Sequence, residues 1–417
     1  MIEDALSRAE MATADFNAFA HLDVDGALSA ADALDRAKGR LVGPLHGIPV
    51  AVKDVIDVAG LPVTGGSRHL ADRRPRTDAT SVAALRRAGA VIVGITVTHE
   101  MAYGPTGDRS AHGAVLNPCD PARIAGGSSA GSAVAVATSA VPLSLGTDTG
   151  GSVRIPGALS GVLGLKPTYG AISNAGTVPL SPSLDHVGLH ASTVGDLRVG
   201  LAVLTGRPAP AHVGPLRAAW LDFGVDPIDP ELAERVRRLA RAAFGILGPA
   251  RMDPELAARI REDFSAVQGA EAHAQHAHRI ATRPDLFDPE VLERLEAAAK
   301  VPAWKYTRAL DRRDELRRAV LRQFGTADVL VTPTTPISAP LLDQREIDMG
   351  GTRAAVRDVL LSLTHQWNLL GFPALSVPIS TPRLPAGLQL IAPPGGEERL
   401  LAAADRILST QYRQKRK

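Results

Sequence analysis

The sequence predicts an α/β fold, organised as a single domain over residues 1–417. Apolar segments of strand length alternate along the chain with longer segments of helical periodicity, which is typical of a sheet covered by helices. Hydrophobic residues make up 45% of the 417 residues, enough to fill one large core. No internal repeat and no linker rich in Pro, Gly or Ser divides the chain.

The N-terminal half alternates strands and helices and carries most of the polar motifs. The Ala/Val-rich run that follows Gly126 is apolar on every side, which indicates a buried helix. The predicted elements are two helices within 2–39, a strand ending at Lys53, a helix at 81–88, a strand at 90–97, a buried helix that follows the 126–129 loop and extends to about Ala140, and a strand near 143–145.

The C-terminal half turns charged and helical between residues 210 and 325 before apolar strands resume. Its predicted elements are helices at 192–206, 231–247, 253–282, 290–299, 304–324 and 397–408, and strands at 216–221, 328–331, 374–378 and 388–391. Ser192 or Thr193 is expected to start the first of these helices. The basic tail at 413–417 is expected to be disordered, because short charged tails are usually solvated.

Composition excludes several classes of function. A net charge of +2 and an aromatic content of 4% argue against a nucleic-acid surface. No run reaches the ~20 apolar residues of a membrane span, and the acidic first 20 residues do not resemble a secretory signal. A single cysteine rules out an internal disulfide and fits a reducing cytoplasm. We therefore expect a cytoplasmic protein that binds neither nucleic acid nor membrane.

Two Gly-Gly-Ser loops flank the buried helix and the strand after it, at 126–128 and 150–152. If the helix runs away from the first loop and the strand after it runs back, the second loop returns to the first. The hydroxyls of Ser128 and Ser152 could then meet. Glycines beside a serine let the backbone turn sharply and aim N–H groups at an oxyanion. The alternative is that both are ordinary turns, as most Gly-Gly-Ser stretches are.

A serine nucleophile needs a base, and Lys53 at the end of an apolar strand is the candidate. Burial would lower the pKa of this lysine and let it sit neutral. Alternatively, Lys53 emerges at the surface and pairs with Asp54 or Asp57.

Together with the sequence segments around them, Lys53, Ser128 and Ser152 resemble the amidase signature family. That family includes fatty acid amide hydrolase, allophanate hydrolase, bacterial aliphatic and aryl amidases, and the A subunit of tRNA-dependent amidotransferases. The resemblance covers nearly the whole chain and is weakest at 210–325. The matching segments are 47–54, 117–121, 126–132, 146–156, 164–170, 183–186, 331–334, 368–374 and 387–391.

The resemblance implies a catalytic triad of Lys53, Ser128 and Ser152, with a cis peptide bond between Gly127 and Ser128. Neutral Lys53 takes a proton from Ser128, which takes one from Ser152, and Ser152 attacks an amide carbonyl to form an acyl-enzyme. The mechanism needs no histidine, metal or cofactor. The implied oxyanion hole is formed by the N–H groups of Thr149, Gly150, Gly151 and Ser152.

The resemblance also implies the surroundings of this triad. The sheet is expected to be mixed and mostly parallel, with helices on both faces, and the variable region 210–325 is expected to cover the active-site mouth. Asp148 and Arg154 are expected to hold the nucleophile loop by pairing, and Ser129 to cap the buried helix and support the relay. The implied substrate pocket consists of Met101, Ala102, Tyr103 and Gly127.

The expected function is hydrolysis of a linear carboxamide, with release of ammonia or an amine from a small-molecule substrate. An allophanate-like or urea-like substrate is one alternative. Another is the glutamine-hydrolysing component of a tRNA-dependent amidotransferase, although the aspartate expected for that role falls near Leu361. A non-catalytic scaffold is disfavoured by the intact triad. The oligomeric state stays open, with a homodimer as one candidate.

For the other reactive residues, a structural or solvated role is the favoured interpretation. His273, His276 and His278 could suggest a metal site, but solvated helix histidines are the commoner case. Cys119 is expected to be a small buried side chain. The glycine-rich loop at 126–132 lacks the Gly-Lys-Ser/Thr ending of a phosphate-binding loop.

Overall fold

The computed structural model describes residues 1–37, 42–207, 214–223, 229–381 and 384–415. Its strands are β1 (Phe19–Leu22), β2 (Pro49–Lys53), β3 (Val91–Thr96), β4 (Leu116–Asn117), β5 (Asp120–Ile124), β6 (Leu143–Asp148), β7 (Leu163–Lys166), β8 (His186–Ala191), β9 (Ala218–Asp222), β10 (Gly248–Arg251), β11 (Val329–Pro333), β12 (Glu346–Asp348), β13 (Arg353–Ala355), β14 (Ala374–Ile379) and β15 (Ala386–Ile391). Eleven of them form one sheet, in the order β1-β3-β2-β6-β8-β7-β14-β15-β11-β9-β10.

The helices precede, separate and follow these strands. They are α1 (Ile2–Phe16), α2 (Val24–Asp35), α3 (Thr80–Arg87), α4 (Ala130–Ala137), α5 (Arg154–Ser160), α6 (Val194–Thr205), α7 (Pro230–Phe244), α8 (Pro254–Thr282), α9 (Pro289–Ala298), α10 (Ala303–Gln323), α11 (Val356–Leu361), α12 (His365–Leu369) and α13 (Glu397–Lys415). Among the described helices, none is long and apolar enough to cross a lipid bilayer.

Helices cover both faces of the sheet, as alternate residues of β2 demonstrate. Val50 and Val52 belong to a core that includes residues of α3, α6, α7 and α13, whereas Ala51 belongs to a core with α1, α2 and α4. Successive side chains of a strand point to opposite faces, so these cores lie on opposite sides of the sheet. The expected α/β fold, a mixed sheet between two layers of helices, is confirmed.

The sheet contains two parallel blocks joined by antiparallel strands. Strands β3, β2 and β6 run parallel, as do β11, β9 and β10. The neighbours from β6 through β8, β7, β14 and β15 to β11 are antiparallel, and so is the edge strand β1. Antiparallel pairs make up a larger share of the strand pairs in this sheet than the sequence indicated. Short or helix-free connections join β7 to β8 and β14 to β15, whereas a parallel connection usually carries a crossover helix.

The helices predicted between 230 and 325 are confirmed as α7, α8, α9 and α10. Three of them begin with an Asp-Pro pair, in which Asp229, Asp253 and Asp288 accept hydrogen bonds from first-turn N–H groups. Proline suits the first helical position because the N–H that it lacks would have no helical partner there. Thr193 caps α6, as one of the two expected residues.

Several elements differ from the sequence prediction. Strands β1 and β10 were not indicated, because four residues at a sheet edge are too short for a periodic signal. Strands β7 and β8 were not indicated either, since glycine and basic residues interrupt their apolar runs. The prediction of a disordered tail is wrong as far as Lys415, because α13 continues to that residue. Residues 416–417, 210–213 and 224–228 lie outside the described residues.

Candidate active site

Lys53 approaches the nucleophile loop because their strands are parallel neighbours. Strand β2 ends at Lys53 and β6 ends at Asp148, with Val52 opposite Leu145 in the pairing register. The carboxyl ends of parallel strands meet at the same edge of a sheet, which is where sites form in α/β folds. The loop carrying Ser152 therefore leaves the sheet beside the lysine.

Lys53 is fully buried and contacts hydroxyl groups. Its Nζ lies 2.7 Å from Ser128 Oγ and 2.8 Å from Thr147 Oγ1. Burial lowers the pKa of Lys53 to about 7, against the opposing charges of Asp148 and Asp185. A substantial fraction of the amine is therefore neutral near neutral pH and can accept a proton from Ser128.

The alternative in which Lys53 pairs with a neighbouring aspartate is wrong. Asp54 accepts hydrogen bonds from the backbone N–H groups of residues 64 and 66 instead, at 2.5 and 2.8 Å. Asp57 forms an ion pair with Arg73 at 2.7 Å. Both carboxylates are thus occupied, and the lysine faces the hydroxyls.

Ser128 follows a cis peptide bond from Gly127, as expected. Gly127 has no room for a side chain, because a Cβ would lie 2.6 Å from the backbone nitrogen of Gly107. The Ser128 carbonyl accepts hydrogen bonds from Thr98 Oγ1 at 3.1 Å and from the N–H of His99 at 3.0 Å. These contacts fix the loop and leave the Ser128 hydroxyl to face Lys53.

Ser129 joins this loop to the nucleophile loop. Its N–H donates to the Ser152 carbonyl at 3.2 Å. Its hydroxyl donates to the Thr147 carbonyl at 3.1 Å and accepts from the Thr147 N–H at 3.2 Å. The expectation that this hydroxyl caps the helix is wrong, because the hydroxyl is hydrogen-bonded to the backbone of Thr147 in strand β6 instead. Ser129 therefore lies in a supporting position beside Lys53, Ser128 and Ser152.

Ser152 lies in a loop whose backbone is closely restrained. Ser128 is fully buried, whereas 6% of Ser152 is exposed, so Ser152 is the serine that a substrate can reach. In the described chain, the N–H groups of Thr149, Gly150, Gly151 and Ser152 donate to no protein acceptor, which leaves them available to an oxyanion. The described contacts include no hydrogen bond between the Ser128 and Ser152 hydroxyls.

Thr364 packs against this loop from α11–α12. Its hydroxyl donates to the Gly150 carbonyl at 2.6 Å. Gly151 has φ +145°, and a Cβ there would lie 2.4 Å from Thr364 Oγ1. Glycine is therefore required at 151 both by backbone conformation and by space.

Asp148 and Arg154 form the expected pair beneath the loop, and both are fully buried. Arg154 bonds both oxygens of Asp148, at 3.0 and 2.8 Å. Burial alone would raise the pKa of Asp148, but the adjacent guanidinium holds it well below its usual range. Asn368 donates to the Asp148 carboxylate and carbonyl, both at 2.8 Å. The pair is hydrogen-bonded on all sides, so it serves to hold the loop in place.

Asp185 is a buried carboxyl that the sequence did not single out as functional. Its Oδ1 accepts a hydrogen bond from Thr149 Oγ1 at 2.6 Å, and its Oδ2 accepts from two backbone N–H groups at 3.0 Å. Burial raises the pKa of Asp185 to about 6. Its position in the matching segment 183–186 was the signal that could have identified it.

The predicted pocket residues fall in different places. Tyr103 lines a cleft of about 520 Å³. Ala102 lines a cavity of about 10 Å³ beside Thr147 and Thr149. Met101 is buried in an apolar cluster with Tyr103, and Gly127 lies under the backbone of residues 104–107. Of the four, Tyr103 is thus the residue that reaches a cleft of substrate size.

The 520 Å³ cleft adjoins the oxyanion loop. Phe264 and Leu361 form part of its lining, and a Cβ on Gly150 would lie 2.9 and 3.3 Å from them. Arg261, Arg294 and Arg357 also line it. Sequence reasoning missed these arginines, because helices far apart in the chain bring them together.

His365 is another cleft residue that the sequence did not indicate. Its Nδ1–H donates to the Leu361 carbonyl at 2.8 Å, and its Nε2 is a buried acceptor with no hydrogen-bond partner among the described residues. Burial lowers the pKa of His365 to about 4, so the ring is neutral at neutral pH.

The remaining reactive residues lie in ordinary settings. His273 Nδ1 donates to the Leu295 carbonyl at 3.0 Å. His276 is buried beside Phe287 rather than solvated. The described residues contain no group of three or more potential metal ligands. Cys119 is exposed, so the prediction of a buried thiol is wrong, because the residue lies in the turn between β4 and β5.

Comparison with known proteins identifies the family of the chain. The family model described as Amidase matches residues 1–213 and 228–401. The chain belongs to the amidase family. Among solved amidase-fold structures, one titled "Crystal structure of amidase" is 34% identical with a TM-score of 0.91, covering 98% of this chain and 95% of that one. The 6-aminohexanoate cyclic dimer hydrolase with its substrate is 27% identical with a TM-score of 0.86, covering 99% and 93%.

Curated relatives of this amidase differ in their named reactions. The A subunit of glutamyl-tRNA(Gln) amidotransferase from Chloroflexus aurantiacus is 37% identical, over 97% of this chain and 91% of the relative. The AtzE subunit of 1-carboxybiuret hydrolase from Pseudomonas sp. strain ADP is 34% identical, over 98% and 94%. The 2-amino-5-chloromuconic acid deaminase of Comamonas testosteroni is 37% identical, over 93% and 87%. Amidohydrolase activity is thus supported.

Proposed function

We propose that the chain hydrolyses a linear carboxamide through an acyl-enzyme on Ser152, with Ser128 and Lys53 as the proton relay. The observation that carries the proposal is the 2.7 Å contact between the buried Lys53 Nζ and Ser128 Oγ. A lysine whose pKa is lowered to about 7 by burial is suited to act as a base at neutral pH.

The proposed reaction proceeds in two halves. Ser128 gives its proton to Lys53 and takes one from Ser152, whose oxygen bonds to the amide carbon. The oxyanion accepts hydrogen bonds from the N–H groups of residues 149–152, and its collapse breaks the C–N bond. The stored proton returns through Ser128 to the departing nitrogen, and ammonia or an amine leaves. Water then attacks the ester, releasing the carboxylic acid and restoring Ser152.

A hydrogen bond between the Ser128 and Ser152 hydroxyls is the contact of this relay that is not among those of the described residues. Catalytic hydrogen bonds often tighten only when substrate is bound. The N–H of Ser129 already joins the two loops at 3.2 Å, which supports a short path for the proton.

The surroundings support a small-molecule substrate. The cleft of about 520 Å³ is lined largely by α8, α9 and α11, two of which belong to the 210–325 region proposed to cover the mouth and set substrate choice. Urea-like and allophanate-like compounds belong among the substrates to be tested. A single cysteine supports the proposed cytoplasmic location, and a homodimer is the candidate assembly.

A fluorophosphonate probe tests the nucleophile directly. The wild-type chain should be labelled covalently, and Ser152→Ala should not be labelled. Ser110→Ala, at a serine outside the relay, is the control and should label like the wild type. Equal labelling of wild type and Ser152→Ala would refute the assignment. Ammonia or amine release from a panel of amides, esters and carbamates then identifies the substrate.

A second candidate function is glutamine hydrolysis within a tRNA-dependent amidotransferase, because relatives with that name are 37% identical. Against it, the apolar Leu361 lies beside Gly150, where a carboxylate for the glutamine ammonium is expected. The carboxylate in this part of the cleft, Asp358, already pairs with Arg357 at 3.0 Å. Ammonia release from glutamine only in the presence of a partner protein would favour this second function.

A further inference from the structure

Two hydroxyl groups compete for the amine of Lys53. Its Nζ lies 2.7 Å from Ser128 Oγ, 2.8 Å from Thr147 Oγ1 and 3.4 Å from the Thr147 carbonyl oxygen. A neutral amine has two N–H groups and one lone pair, so it accepts one hydrogen bond. Ser128 can therefore pass its proton to Lys53 only if the Thr147 hydroxyl accepts from the amine and directs its own proton elsewhere.

The Thr147 proton needs a second acceptor for this reason. Only 7% of Thr147 is exposed, and among the described contacts its hydroxyl donates to no protein atom. A buried hydroxyl whose proton has no acceptor costs stability. Thr147 lines a small cavity of about 10 Å³, which is close to the smallest volume that holds one water molecule.

Asp185 and Thr177 offer acceptors in the same cavity. Asp185 Oδ1 accepts a hydrogen bond from Thr149 Oγ1 at 2.6 Å, and a carboxylate oxygen can accept two. The other oxygen of this carboxylate is held by two backbone N–H groups at 3.0 Å. The Thr177 hydroxyl donates to the Asn174 carbonyl at 2.7 Å, which leaves its oxygen able to accept. Buried waters typically make about three hydrogen bonds, and Thr147, Asp185 and Thr177 provide a donor and two acceptors.

We propose that one water molecule binds in this cavity, accepts a hydrogen bond from the Thr147 hydroxyl and donates one to the Asp185 carboxylate. Asp185 is then a positioning residue. Through the water it turns the Thr147 proton away from Lys53 and leaves the lone pair of the amine to Ser128. This inference rests on the proposed amidase function and assigns a further residue to its proton relay.

The charge of Asp185 also acts on Lys53. Burial lowers the pKa of Lys53 to about 7, and the charges of Asp148 and Asp185 oppose this decrease. Other titratable side chains around the two residues are Glu271 on α8 and His186 and His190 on β8. Burial lowers the pKa of both histidines, so their rings are neutral at neutral pH. Removal of the Asp185 charge should therefore lower the pKa of Lys53 further.

The rate of fluorophosphonate labelling tests the proposal without a known substrate. Asp185→Asn keeps the size of the side chain but removes its charge, so it should slow labelling about tenfold above neutral pH. In the Thr147→Val background no hydroxyl competes for the amine, and Asp185→Asn should slow labelling less than about threefold. In the Thr147→Ser background, which keeps a hydroxyl, the full effect should return. An equal loss in the wild-type and Thr147→Val backgrounds would overturn the proposal.

The pH profile of labelling gives a readout that a purely structural role would not move. In Asp185→Asn, the rising limb that follows the Lys53 pKa of about 7 should shift to lower pH. Asp314→Asn, at a side chain that is 72% exposed and pairs with Arg317, is the matched control and should keep the wild-type rate and midpoint. A midpoint that stays in place or moves to higher pH in Asp185→Asn would contradict the role given to this carboxylate.

A high-resolution crystal structure of the wild type tests the water directly and requires neither catalysis nor a variant that folds. We expect one ordered water within hydrogen-bond distance of Thr147 Oγ1 and Asp185 Oδ1. Such a water supports the site even if the probe labels no serine. Labelling of Ser152 that depends on Lys53, together with a cavity that holds no such water, would leave the amidase function intact and refute this inference.

Discussion

At the scale of single residues, two buried lysines show that burial alone does not make a base. Lys53 and Lys166 both end strands, both are fully buried, and burial lowers the pKa of each. Lys166 Nζ donates to the Pro167 carbonyl, whereas Lys53 Nζ touches the Ser128 and Thr147 hydroxyls. A carbonyl has no proton to give, so only Lys53 can begin a relay.

The pH dependence of acylation should follow Lys53. The protonated amine cannot accept the Ser128 proton, so kcat/KM should rise as pH increases through about 7, where the lowered pKa lies. Lys53→Arg stays charged across this range and should lower kcat/KM by about 100-fold or more, within the span of general-base effects. Stopped-flow acylation or initial rates at pH 5–9 would measure both effects.

Lys300→Arg, at an exposed lysine, is the matched control and should keep the wild-type profile. A Lys53→Arg enzyme with wild-type turnover would contradict the assignment of this lysine as the base.

The proposed triad of Lys53, Ser128 and Ser152 could be named from the sequence because these residues lie in long matching segments. The sequence did not reveal that the Thr147 hydroxyl also contacts Lys53 Nζ, and it misassigned the Ser129 hydroxyl to a helix cap, since both contacts depend on the packing of β6. Arg294 and Arg357 were missed for a related reason. They come from α9 and α11, more than 60 positions apart, and only tertiary structure places them in one cleft.

At the scale of elements, the nucleophile loop is positioned by what packs around it. The Asp148–Arg154 pair lies beneath the loop, and Thr364 bonds the Gly150 carbonyl from the side at 2.6 Å. Helix starts such as Asp253-Pro254 were predictable from local chemistry, whereas short edge strands such as β1 and β10 depend on neighbours remote in sequence. Local signals thus identified the long elements, and long-range pairing decided the rest.

Gly151→Ala should disable the loop while leaving the fold intact. The new methyl group would meet Thr364 Oγ1 at 2.4 Å and would require a backbone with φ +145°. Displacement of the oxyanion donors should lower kcat by about 100-fold or more, as loss of one such donor does in other enzymes. Active-site titration and circular dichroism would separate lost chemistry from lost structure.

Gly60→Ala provides the comparison, because Gly60 also has a positive φ, +82°, but open space around its Cβ position. Near-normal activity of Gly151→Ala would mean that this loop does not need its observed shape.

At the scale of the whole molecule, the long sheet links distant parts of the chain. Strand β1 starts at residue 19 and β15 ends at residue 391, yet both belong to the same 11-stranded sheet. The antiparallel strands β8, β7, β14 and β15 join the two parallel blocks. The expectation of one domain over residues 1–417 stays a prediction that unfolding can test.

Thermal unfolding should be a single event if the chain is one domain. All three tryptophans lie at or after residue 220, so their fluorescence reports the C-terminal part, whereas far-ultraviolet circular dichroism reports every helix. Coincident curves from both probes indicate one cooperative unit. Two separated transitions, with fluorescence following only one of them, would show that the chain unfolds as more than one cooperative unit.

The position of Thr364 has a practical consequence for protein engineering. It lies three residues beyond the end of α11, the helix that supplies Arg357 and Leu361 to the cleft, and its own hydroxyl restrains the Gly150 carbonyl in the loop that carries Ser152. Redesigning that helix to accept a different compound will therefore also alter the turnover rate. Libraries aimed at new selectivity should vary 357 and 361 while keeping threonine at 364.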